Sequence, residues 1–141
     1  MGVNNNNIII DDGSQEYTFT NKQGEVFAKF TLNGADTGIV ERYENLQKYL
    51  EGYELEADEN NVLDKLNKLN EDLIQQFNLL LNQDTSNTLF MRYTPTTLFA
   101  NGDMFCEVAF ENIGKFIEQE LNVRIDKKMA KIRKATAKNR A

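Results

Sequence analysis

The residues able to do chemistry in this 141-residue chain are few, and their absences are informative. There is no His, so the commonest general base and the commonest metal ligand are both missing. A single Cys, Cys106, excludes a thiolate metal site and an internal disulfide. It stands at the start of a helical pattern, where a helix N-terminus could lower a thiol pKa, but beside Phe105 and Val108 it reads better as a small buried apolar residue. Carboxylates are abundant, and pairs such as Glu107 with Glu111 or Glu118 with Glu120 fall where ordinary helix patterning puts them. Asp11-Asp12-Gly13-Ser14 lacks the later ligands of a calcium loop and is expected to be a turn. No glycine-rich phosphate loop and no nucleophile elbow is present. The expectation is a protein that is not an enzyme and needs no cofactor or metal.

One cluster does offer binding chemistry. Arg124, Lys127, Lys128, Lys131, Arg133, Lys134, Lys138 and Arg140 crowd the C-terminus, with Ile125, Met129 and Ile132 interleaved at helical spacing. Residues 124–141 carry a net charge of +7 and residues 1–123 carry −13. A basic helix end suits the macrodipole and needs no partner to explain it. The apolar stripe running through it adds a second reading, in which a helix docks into an acidic partner or onto the acidic body of another copy. No aromatic residue follows Phe116, which disfavours nucleic-acid stacking or membrane anchoring, and no stretch approaches the ~20 apolar residues that span a bilayer. With no secretory leader at MGVNNNNIII, a cytoplasmic location is expected.

These side chains need elements to hold them. Ile8–Ile10, Glu16–Asn21 and Glu25–Asn33 are expected to be strands, with Val26, Ala28, Phe30 and Leu32 on the buried face of a hairpin. Asp36 is the expected N-cap of a helix to Tyr53. A second helix is expected over about 60–82, with Val62, Leu63, Leu66, Leu69, Leu73, Ile74, Phe77, Leu80 and Leu81 on one broad face. Pro95 suggests a short helical turn. From Asp103 to Lys138 three- and four-residue apolar steps continue without a proline, predicting one amphipathic helix on the order of 50 Å long. Such a helix must bend near Gly114 or Asn122, or carry its basic end off the body.

The fold class is therefore α+β, mainly α: a small antiparallel sheet or hairpin packed on about three helices. One globular domain over 1–123 would hold strands within about 8–33 and helices at about 36–53, 60–82 and 103–123, and 124–141 would be a basic helical extension.

Three segments, FTLNGADTGIVERYENL at 30–46, FNLLLNQDTSNTLF at 77–90 and the closing helix from Phe105 into its basic end, together resemble the tail assembly chaperones of long-tailed phages and prophages of Gram-positive hosts. The second departs from the family pattern, with Leu80 and Leu81 where an aromatic is common. The resemblance implies a non-enzymatic chaperone that coats the tape measure protein, keeps it soluble, gives way to tail-tube subunits and is absent from the finished virion. It also implies a gene read by programmed frameshifting, and Ala137-Lys138-Asn139 admits the slippery spelling GCA AAA AAC. The competing classes are a self-associating structural or regulatory phage protein and, behind it, a nucleic-acid adaptor.

Overall fold

The computed structural model describes residues 6–53 and 62–138, with the side chains of Ala137 and Lys138 excepted. The first two Asn of the asparagine run, the acidic connection over 54–59, the expected helix start at 60–61, and Asn139 and Arg140 lie outside the described residues.

Two strands, β1 (Gln15–Thr20) and β2 (Val26–Leu32), form an antiparallel hairpin. Its turn is built on Asn21, whose side-chain oxygen accepts from the N–H groups of Gln23 and Glu25, and on Gly24, which takes a left-handed φ of 80°. Ile8–Ile10, expected as a strand, are not in the sheet; all three are exposed, and among the described residues no strand pairs with them. The inner face also differs from simple alternation. The register slips between Phe19 and Thr20, leaving Phe27 as an extra residue opposite them, so Phe27 turns into the core and Val26 turns out. The outer edge of β2 is closed by Gln83, whose side-chain amide donates to Thr31 O at 2.6 Å and accepts from Thr31 N at 3.4 Å.

Against the hairpin lie α1 (Gly38–Glu51), α2 (Val62–Leu81) and α3 (Phe105–Lys138). The first starts two residues later than expected. Asp36 still does the capping, accepting from Gly38 N, while Thr37 in the N-cap position makes no side-chain bond. Along α2 the buried positions are Leu69, Leu73, Phe77, Leu80 and Leu81; Leu63, expected on that face, is exposed. Asn82, with φ 53°, ends α2 in the left-handed conformation, and Arg42 Nε on α1 donates to Leu80 O, one of the carbonyls that a helix end leaves unpaired.

Between α2 and α3 a 3-10 turn at Thr85–Asn87 is followed by an irregular stretch. Thr85 is fully buried and satisfied, its hydroxyl lying 2.6 Å from Asn78 Oδ1. Pro95 begins a hydrogen-bonded turn rather than a helix, closed by Thr97 N donating to Thr94 O. α3 begins at Phe105, two residues after Asp103. Its first N–H groups donate to the carbonyls of Thr97 and Pro95, so this helix start is capped by backbone and not open to an anion.

Phe105 is the hub of the core. Its ring lies 5.4–5.7 Å from those of Phe19, Phe27, Phe90 and Phe99, mostly edge-on, which ties both strands and the irregular stretch to the start of α3. Along α3 the buried side chains are Phe105, Cys106, Ala109, Ile113 and Ile117, with Phe116 stacked on Tyr17 at 4.3 Å and Leu121 half-buried. Beyond that point the helix leaves the body: every described side chain from Ile125 to Thr136 is exposed.

Candidate partner-binding helix

The place where α3 leaves the body is fixed by one side chain. Arg124 donates through Nη1 to Asp12 O at 3.2 Å and Asn33 Oδ1 at 3.0 Å, and through Nη2 to Gly13 O at 2.8 Å and Glu120 Oε2 at 3.4 Å. A planar guanidinium with five donors can span two carbonyls, an amide and a carboxylate at once, which a lysine cannot. The loop it grips is itself prefolded: Asp11 and Asp12 accept from the N–H groups of Gly13 and Ser14. Gly13 has φ 79°, and a Cβ there would fall on the Arg124 guanidinium. Ser14, chiefly through its N–H, holds Asp12 below the usual carboxylate range, and Arg124 adds to the effect.

This divides the basic cluster. Arg124, expected among the partner-facing residues, is turned onto the body and occupied there, because two loops far from it in sequence present oxygens to it. Lys127, Lys128, Lys131, Arg133 and Lys134 are exposed, and among the described residues none of them is in an ion pair. Ile125, Met129 and Ile132 keep 54%, 43% and 45% of their surface exposed. The side chain of Lys138 lies outside the described residues. What results is an apolar stripe, flanked by cations, on a stretch of helix whose described side chains are all exposed.

Two apolar features lie outside the expected set. Val123 is half exposed but lies on the opposite side of the helix from the stripe, and Ile8, Ile9 and Ile10 stand 81%, 88% and 76% exposed just before the loop that Arg124 grips. A run of three isoleucines was visible in the sequence, but its place beside the helix exit depends on a contact between residues more than a hundred positions apart.

Other sites offer less. A cavity of about 450 Å³ beside α1 is lined by Asp36 and Arg42, which already pair with each other at 2.9 Å; that hydrogen bond, with the N–H of Gly38, holds Asp36 below the usual carboxylate range. A cleft of about 630 Å³ at the hairpin tip is lined by Phe19, Phe27, Tyr93, Leu98 and Phe99 and has no convergent charge. Cys106 is buried, and burial, with Glu107 adding to it, pushes its thiol up to about 11, the opposite of activation. Among the described residues no group of three His, Cys, Asp or Glu could hold a metal ion, and no helix is long and apolar enough to cross a membrane.

Compared with protein-family models, curated proteins and solved structures, the chain matches none of them.

Proposed function

We propose that this protein is a non-enzymatic tail assembly chaperone of a long-tailed phage or prophage, which binds the tape measure protein in the host cytoplasm and keeps it soluble while the tail is built. The observation that carries the reading is the exposed stripe of Ile125, Met129 and Ile132 on a helix that projects from its own body. A tape measure is long and helical, and its apolar faces require cover until the tube encloses them. A projecting amphipathic helix supplies such cover and leaves the acidic body outward, where net charge keeps the complex soluble. The resemblance of the segments at 30–46, 77–90 and 105–138 points to the same role.

Coexpression with a tape-measure fragment tests this. The wild-type chain is expected to keep the fragment in the soluble fraction and to co-elute with it on sizing. Ile125→Glu, Met129→Glu and Ile132→Glu together should abolish co-elution and leave the thermal midpoint of the chaperone unchanged, since none of the three belongs to the core. Retained capture by this variant, or no capture by wild type, would sink the proposal. A second reading, self-association, is favoured by the opposite charges of body and extension; sizing of the purified chain alone distinguishes it.

A further inference from the structure

Resting on the reading of the extension as a client site, we infer that Ile8–Ile10 form a second wall of that site, and that its occupant is an acidic amphipathic helix held between this arm and α3. Three consecutive isoleucines more than three-quarters exposed are an unusual surface, because burial of each would take a large apolar side chain out of water. Their position makes them more than an apolar arm. The arm departs at Asp11, one residue before the carbonyl of Asp12 that Arg124 grips. At no more than about 3.6 Å per residue, Ile10 stays within roughly 7 Å of Asp12 along the chain, and Ile8 within roughly 14 Å. On the helix side, Ile125 adjoins Arg124, and Met129 and Ile132 follow about 7 and 12 Å up the axis. Arm and stripe thus leave one root and have similar reach.

The chemistry of the occupant follows from charge. Lys128 and Arg133 flank the stripe, one on each side, with Asp126 next to Arg133 and Lys127, Lys131 and Lys134 farther round the same helix, so a partner helix needs apolar residues at three- and four-residue steps with Asp or Glu on its flanks. A second copy fits poorly. Its own extension has the same positive sign, and although its body is acidic, the exposed apolar residues there, Val26, Val40, Leu63, Leu79, Met91 and Leu98, are scattered over β2, α1, α2 and the stretch before α3 rather than aligned.

The test uses the full chain and two labelled synthetic helices, both with Leu at four- and three-residue steps, one flanked by Glu and one by Lys. Fluorescence anisotropy should show the Glu helix bound at least about tenfold more tightly than the Lys helix, with the difference shrinking as salt is added. Ile8→Ser, Ile9→Ser and Ile10→Ser together should weaken binding of the Glu helix about tenfold or more without changing the thermal midpoint. Unchanged affinity in that variant would overturn the second wall, and tighter binding would do so as well, because it would make the arm a cover over the stripe. Preference for the Lys helix would overturn the acidic occupant, and so would a dimer of the wild-type chain that the three serines dissolve. Failure of the client reading itself has a different signature: the Glu helix would then bind equally well to the chain carrying Glu at 125, 129 and 132.

Discussion

At the residue scale, Cys106 shows how position decides chemistry. At the start of a long helix a thiol could be activated, and only burial separates that outcome from an inert one. Here it is 1% exposed and its pKa is raised from 9.0 to about 11, first by burial and then by the charge of Glu107. The native state therefore holds its proton where the unfolded chain has lost it. Stability should be unaffected by this group below pH 9 and should decline as pH rises from about 9 to 11, since the unfolded state ionises first. Alkylation by iodoacetamide at pH 8 should be slow in the folded chain and rapid in urea, and Cys106→Ala should remove this group's share of the alkaline loss. Fast labelling of the native protein would show that the thiol is accessible after all.

At the scale of elements, α1 and α3 meet at one close approach. Tyr43 stacks on Phe110 with ring centroids 4.2 Å apart and donates its hydroxyl proton to Phe110 O, and a Cβ on Gly114 would overlap that hydroxyl. In an exposed helix Gly→Ala would gain about 1 kcal/mol. Here the stacked, hydrogen-bonded ring cannot yield cheaply, so Gly114→Ala should instead cost roughly 1–3 kcal/mol in urea denaturation. Adding Tyr43→Phe should recover part of that loss, a coupling that independent sites would not show.

The same scale shows how far the sequence could be read. Helical periodicity located all three helices because their apolar stripes are long and regular, and the core positions Leu69, Leu73, Phe77, Ile113 and Ile117 followed from it. Phe27 was misplaced because a bulge is a property of two strands together, invisible in either one alone. Ile8–Ile10 have the composition of a strand, but composition does not supply a partner edge. Of the candidate site, the stripe was legible and the role of Arg124 was not. A basic residue among basic residues carries no local mark of the two distant loops that capture it.

Across the whole molecule, charge and shape are divided along one line. The body bears the acidic excess and the whole described core; the extension bears a basic excess and, among its described side chains, contributes none that is buried. That division has a kinetic consequence. The bonds from Arg124 to Asp12 and Gly13 close loops of 112 and 111 residues, almost the full chain, whereas the hairpin and the α1–α2 pair close over much shorter distances. Contacts of such long sequence separation carry the largest loop-closure cost and form late. Arg124→Ala should therefore leave the refolding rate almost unchanged and speed unfolding several-fold, giving a φ-value near zero; a slowed refolding limb would mean that the clamp belongs to the nucleus. With that φ-value, the corner from which both the isoleucine arm and the basic helix spring would be the last to assemble. A chain still folding would hold the two apart, and readiness to bind would become a report that folding is finished.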